Sequence, residues 1–269
     1  MTFKIPKTFA GKTEEEMEKS YYKIINEVEK SEGIKTSGLE NKVEPVILPS
    51  SGNLRFVIDE NEYKEIVKYL DKTFSKHKNN FSKNLKFEDN AMKGSSTYIA
   101  TGVDMFLKSI NSEYRLATQL DLEQNLNFTT GTYNDSGLAL RNLTEANEAQ
   151  AVYLFNQLKQ KGISEKDFPI WFNLRGLNLD NNLNFNLTDE TFYSTAECLN
   201  WANGTNFSKI NNFGLPKEKD NNSSRQIFTS NNALSGGYLG SYSNLISGNS
   251  YLSDSNGDGR VVFAKALRA

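Results

Sequence analysis

Thr144-Glu145-Ala146-Asn147-Glu148-Ala149-Gln150-Ala151-Val152-Tyr153-Leu154-Phe155-Asn156-Gln157-Leu158-Lys159-Gln160-Lys161-Gly162 is the clearest helical stretch in the second half of the chain. Val152, Phe155 and Leu158 recur on one face, and Gly162 can stop the helix in a left-handed turn. A helix over 144–161 therefore needs a sheet to cover. Downstream, Ile170–Leu174, Arg225–Thr229 and Arg260–Ala266 read as strands separated by long polar loops. Upstream, Val103–Ile110 reads as a shorter helix, followed by an extended Glu113–Thr118. The Asn-rich stretch 178–186 is interleaved with Leu and Phe and is expected to be an ordered loop. A helix on a small antiparallel sheet that includes residues 260–266 predicts the α+β class.

The first third has another character. Residues 1–93 hold 17 Lys+Arg and 16 Asp+Glu, against 14 and 17 in residues 94–269, nearly twice as many positions. Asparagine is concentrated in the later part. The shift predicts two units, a charged 1–93 with a possible assembly or oligomerisation role and a ligand-binding 94–269. Met92–Thr97 would be the linker or a surface loop. Within the first unit, Thr13 and Glu16 form a capping box ahead of Met17, Tyr21, Ile24, Ile25 and Val28, with Gly33 as the stop. A second helix starts at Asp59, with Glu62 three residues on and an apolar stripe of Tyr63, Ile66, Val67, Leu70 and Phe74. Glu44–Pro49 and Leu54–Ile58 are strand-like runs between the two helices.

Composition narrows the chemistry. The chain has 269 residues, a formal net charge of −2, one cysteine and one histidine. That balance argues against a general nucleic-acid binder. One cysteine excludes an internal disulfide, and one histidine leaves mainly oxygen ligands for a metal. No run approaches the ~20 apolar residues of a membrane helix, so no membrane insertion is expected. No secretory signal is apparent, which predicts synthesis in the cytoplasm and leaves virion association or export by another route open. His77 reads as a solvated side chain at a helix C-terminus, and Cys198 as a buried, inert thiol. No catalytic residue and no obligatory cofactor is expected. Asp254, Asn256 and Asp258 match the first half of a calcium loop, but Lys265 stands where a bidentate glutamate belongs. The Asn-Gly-Asp-Gly run is equally a hairpin-turn signal, so a turn is favoured and calcium stays possible.

The most unusual segment is 229–258, in which 21 of 30 residues are Tyr, Ser, Gly or Asn. Binding loops share this chemistry, because tyrosine supplies contact area at low entropy cost and small polar residues adapt their hydrogen bonds. Tyr238, Tyr242, Asn244, Asn249, Tyr251, Asn231 and Asn232 are the candidate ligand contacts, the first five expected mostly exposed on one face and supported by backbone turns at Gly236-Gly237. A protein or glycan is the expected ligand. A hydrolase using carboxylate pairs such as Asp121/Glu123 or Asp189/Glu190, and a structural virion or secretion component, are the alternatives.

The order of these later elements resembles the C-type-lectin-type fold, in the variant shared by formylglycine-generating-enzyme-like domains and hypervariable, phage- or retroelement-diversified binding proteins. Tyr114-Arg115-Leu116-Ala117-Thr118-Gln119-Leu120-Asp121-Leu122-Glu123 is similar to that family's Arg-Leu-Pro-Thr-x-x-x-x-Glu lead into an early helix. Ser235-Gly236-Gly237-Tyr238 resembles its Arg-Gly-Gly-Ser-Trp stretch, and Gly259-Arg260-Val261-Val262-Phe263 its closing strand. The resemblance spans about residues 100–269. Ala117 replaces the usual proline, and Cys198 has no second cysteine to form the pair used by the enzyme branch. The binding branch would place ligand contacts around and after the double glycine. A shorter likeness, Phe9 to Tyr21, is to the opening of some phage structural and scaffolding proteins.

Overall fold

The computed structural model describes residues 54–255 and 257–265, together with two short strands, Thr8–Phe9 and Lys12–Thr13, paired antiparallel. The chain divides into two compact units, Met1–Glu44 and Pro45–Ala269. The helix expected after Thr13 and the strand expected at Glu44–Pro49 lie outside the described residues.

In the second unit, the strands of the two larger sheets are β1 (Leu54–Arg55), β2 (Tyr114–Leu116), β3 (Asn134–Leu140), β4 (Ile170–Asn173), β5 (Tyr193–Thr195), β6 (Thr205–Asn206), β7 (Gln226–Thr229), β8 (Leu234–Leu239), β9 (Leu245–Asn249) and β10 (Phe263–Lys265). Its helices are α1 (Glu60–Thr73), α2 (Thr97–Ser109), α3 (Gln119–Glu123), α4 (Leu126–Thr129) and α5 (Glu148–Gln160). Seven strands form one sheet in the order β5-β4-β3-β8-β9-β7-β6, antiparallel throughout except for the parallel pair β7–β9. β10 lies between β1 and β2 in a separate three-stranded antiparallel sheet. The class is α+β.

Local chemistry explains the helix starts. Asp59 accepts the Glu62 N–H at 2.8 Å and begins α1, the expected cap. Ser96 accepts the Ile99 N–H and begins α2, six residues ahead of Val103. Thr118 and Asp121 form a capping box at α3. Arg115 grips the same Asp121 carboxylate with two bonds of 2.5 and 3.0 Å. α5 is shorter than the periodicity predicts, because Asn142 Oδ1 accepts the Thr144 and Glu145 N–H groups in a turn. Its inward face is Ala151, Leu154, Phe155 and Leu158, while Val152 stands on the rim.

Two layers cover the large sheet. On one face, α2 and α5 bring Ile99, Val103, Leu154 and Leu158 into one core with Leu138, Leu140, Ile170 and Phe172, and α1 adds Ile66 and Leu70 to that core by packing on α2. On the other, Trp171, Ala139, Ile227 and Leu245 meet the loop residues Cys198, Leu199, Phe207 and Leu215. A third cluster joins Leu239 to Leu122, Val262 and Ala264.

Several expectations are corrected here. The change in composition near residue 93 is not a break in packing, since α1 shares a core with α2 and the large sheet. Met92–Thr97 is not a linker. Ala91–Lys93 pairs with Lys86–Glu88, and Met92, Ser95, Ser96 and Thr97 are buried. Residues 260–262 precede the closing strand, with Arg260 in an isolated bridge to Lys93. The stretch 178–186 belongs to a hairpin of Leu177–Leu179 with Phe185–Leu187. His77 sits in the 3₁₀ turn Ser75–Asn80, its Nε2 3.0 Å from the Asn181 carbonyl.

The double glycine also has a different role. Gly236 and Gly237 lie inside β8, not in turns. A Cβ on Gly237, or on its register partner Gly137, would enter the Trp171 ring, and one on Gly236 would meet Thr97 Oγ1. The Trp171 ring thus rests against two adjacent strands at a point where neither carries a side chain. Gly137→Ala and Gly237→Ala should each lower stability by about 1–3 kcal/mol through overpacking. Urea unfolding of the two variants against the parent chain measures this, and an unchanged midpoint would contradict the packing argument.

Candidate ligand-binding face

The β8–β9 hairpin carries the residues that the sequence singles out. Its turn is held from four directions. Gly240 N–H donates to Asn244 O at 2.8 Å, and Gly131 N–H donates to Ser241 O at 3.1 Å. Arg225 Nε donates to Ser243 O at 2.7 Å, and Asn244 Oδ1 accepts the Gln226 N–H at 2.7 Å. Arg225 is itself fixed by Glu123 at 2.7 Å and lies over the Phe207 ring. At the apex Tyr242 is 85% exposed. A side chain held out on so constrained a backbone has little ordering entropy left to lose on contact.

The seven predicted contacts do not form one cluster. Tyr242 and Asn244 lie at the turn. Asn231, Asn232, Asn249 and Tyr251 lie at the other end of the hairpin, a strand length of about 17 Å away. Tyr251 is 75% exposed. Several asparagines hold backbone in place: Asn249 Oδ1 accepts the Tyr251 N–H, and Asn232 Nδ2 donates to Ser230 Oγ and Gly248 O. Asn231 is exposed, and its carbonyl accepts a bond from Asn142.

Register supplies what joins the two ends. Tyr238 pairs with Ile246 across β8–β9, and Ile246 pairs with Phe228 across β9–β7. Side chains in register share a face, while chain neighbours alternate. Ile227 and Leu245 point into the Trp171 cluster, so Phe228 and Ile246 point the other way. Phe228, Ile246 and Tyr238 are half-buried and belong to none of the three apolar clusters. They form an aromatic and aliphatic row across three strands, between the Tyr242 turn and the Tyr251 loop. Composition could not find Phe228 and Ile246, because each reads as an ordinary core residue of a strand.

Behind Tyr238 lies a buried carboxyl group. Asp135, in register with Tyr238, accepts the Ser95 hydroxyl at 2.6 Å. Tyr133 packs on Tyr238 with ring centroids 5.4 Å apart. Burial, with a smaller contribution from the nearby Asp254 carboxylate, pushes Asp135 up to about 7. Burial also raises the Tyr238 hydroxyl, helped by Asp135 and Asp254.

The other candidates are committed elsewhere. Asp121 is paired with Arg115, and Glu123 with Arg225 and Gln119. Glu190 lies 3.2 Å from Lys108. Burial pushes the Cys198 thiol up to about 12, which suits an inert core residue. Asp254 and Asp258 are exposed, and Asn256 lies outside the described residues. Among the described residues no three His, Cys, Asp or Glu side chains are grouped to hold a metal. No described helix is long and apolar enough to cross a membrane. Comparison with protein-family models, curated proteins and solved structures finds no match to this chain.

Asp135 gives the face a pH signature. Its folded value lies above the ordinary carboxylate range, so the native state holds a proton that the unfolded chain has released. The resulting stabilisation is complete below about pH 4 and is lost as pH rises through about 7. Burial raises the Asp135 value most and Asp254 adds a smaller push, while the Ser95 hydroxyl bond and a backbone bond lower it. Asp135→Asn keeps an acceptor for Ser95 without the charge. Its melting temperature relative to the parent should therefore be higher at pH 8 than at pH 5. An equal difference at both pH values would show that Asp135 does not titrate there.

Proposed function

We propose that this chain is a binding protein that presents the β7–β9–β8 face to a macromolecular ligand, on a scaffold of the C-type-lectin-like type. The observation that carries the reading is the row Phe228–Ile246–Tyr238, outside the three apolar clusters and flanked by the two exposed tyrosines, Tyr242 and Tyr251. The two ends are about 17 Å apart, a span suited to a protein surface or an extended glycan. A clamped turn and a strand-built platform provide the pre-organisation that converts contact into affinity.

Three features support the lectin-like scaffold. β1 and β10, the first and last strands of the second unit's larger sheets, lie side by side. Arg115 and Thr118 of the Arg-Leu-x-Thr stretch both bond to the Asp121 carboxylate at the start of α3. The double glycine lies in the strand that leads to the displayed turn. Under this reading the chain is a binder, not an enzyme, and the phage or retroelement association is part of the same proposal.

A displayed random-peptide library and a printed glycan panel, each probed with the full chain, supply ligands for the decisive test. Tyr242→Ala or Tyr251→Ala should weaken capture of a selected ligand by about 1–2 kcal/mol. Their melting temperatures should stay near the parent value, since exposed substitutions rarely change stability. Phe263→Ala, at a fully buried position, should instead cost about 3–5 kcal/mol of stability. Tyrosine variants that melt like Phe263→Ala, or that bind every selected ligand unchanged, would refute the binding face.

A further inference from the structure

A polar cluster lies on the other side of the sheet from the aromatic row. Arg141 follows β3, and by strand alternation its side chain points to the same side as Ala139, toward the Trp171 cluster. It crosses β8 to reach β9. Nη1 donates to Ser235 Oγ at 2.7 Å, and Nη2 donates to Ser247 O at 2.5 Å and to Ser247 Oγ at 2.6 Å. Ser235 and Ser247 are fully buried, whereas Arg141 is only partly so. Thr229, also partly exposed, lies in register beside Ser247. Arg141 is therefore pinned at its head by the sheet, while part of the residue stays open to solvent.

Its charge has no counterpart. Three described arginines, Arg55, Arg141 and Arg175, have a buried Nε–H without an acceptor. Arg55 is compensated by Glu62 at 2.6 Å and by the Tyr114 ring, and Arg175 lies over the Phe192 ring. Arg141 has neither a carboxylate nor a ring among the described residues. Its three bonds go to two hydroxyls and a carbonyl. Of the five N–H groups of a guanidinium, those bonds leave Nε–H and one N–H on Nη1 unspent. Burial accordingly lowers the group to about 10.

A strand staple does not need this charge. A neutral amide could bond Ser235 and Ser247 without the cost of drawing a cation out of water. A guanidinium, by contrast, matches the oxygens of carboxylate and phosphate, and one held in a single geometry by neutral partners is pre-organised to meet them.

We infer that Arg141 is the seat of an oxyanion, the carboxylate or phosphate of a small ligand, which accepts the remaining Nη1 N–H and neutralises the guanidinium, with Thr229 at the rim. Ser235 and Ser247 are positioning residues, which hold the cation but are too buried to touch the ligand. The Arg141 N–H donates to Ala233 O at 2.9 Å, and Asn142 Nδ2 to Asn231 O at 3.0 Å. A bound anion thus fastens β3 to β9 beside the loop 230–233. The site faces away from Phe228, Ile246 and Tyr238 and is independent of the binding-face reading.

The test compares the full chain in sodium phosphate, sodium acetate and sodium chloride at matched ionic strength and constant pH. At tenfold excess over its titration midpoint, phosphate or acetate should raise the melting temperature by about 3–5 °C over chloride. The Nε–Hε resonance of Arg141 should move saturably with the same anion and stay still in chloride. A response to phosphate alone, or to acetate alone, identifies the source of the oxyanion. Arg141→Gln, which keeps an amide for the two serines, should abolish the gain in melting temperature. A gain that persists in Arg141→Gln is the general effect of an excluded salt and overturns the inference. Equal melting in all three salts does the same. So does an Arg141 resonance unmoved by both anions, a readout on the parent chain that stands even if the variant fails to fold.

Discussion

The contact on which this structure depends is the Trp171 indole lying against Gly137 and Gly237. A large ring can rest on a sheet only where adjacent strands carry no side chains, and both glycines are needed because the ring spans β3 and β8. With the ring in place, the loop residues Cys198, Leu199, Phe207 and Leu215 have a surface to close on, and that face of the sheet becomes core. The opposite face is covered by α2 and α5 near its centre, where Leu138, Leu140 and Phe172 lie, with α1 packed on α2. The outward side chains at β7 and β9, and Tyr238 of β8, fall beyond that cover. The proposed binding face is therefore what remains when the two layers have been packed.

The same economy applies to the polar groups. Arg115 and Arg225, the carboxylates of Asp121 and Glu123, and the hydroxyl of Thr118 are spent on fixing α3 and the hairpin turn. Charged groups removed this far from water need such pairing, because an unpaired one would cost several kcal/mol, on the order of 3–5. Asp135 is the exception in kind. Its side-chain partner is the Ser95 hydroxyl, not a cation, and it answers burial by holding its proton into the neutral range.

Local signals in the sequence translated well where a few adjacent residues decide the conformation. Asp59 and Glu62 set the start of α1, and the apolar stripe of that helix faces inward at Ile66 and Leu70. Ile170–Leu174 and Arg225–Thr229 each contain the strand expected of them. Signals failed where a distant partner took over. Met92–Thr97 has the composition of a linker, yet Ser95 is buried against Asp135 and Ser96 caps a helix. Gly236-Gly237 has the composition of a turn, yet an indole from another strand makes glycine necessary within β8. Val152 fits the helical period, yet the sheet meets α5 on the side of Ala151 and Leu154.

By itself the sequence determined the α+β class, the places of α1, α5, β4 and β7, and the tyrosine- and asparagine-rich composition of one segment, because periodicity, caps and composition are properties of neighbouring residues. The central strands β3, β8 and β9 were not legible in the sequence. Only the tertiary structure decided that the expected contacts divide between two ends of a hairpin, that the asparagines largely brace backbone, and that Phe228 and Ile246 join Tyr238 in one row. The reason is register. A side chain's face in a sheet depends on which residue lies opposite it, and that pairing is set by strands far apart in the chain.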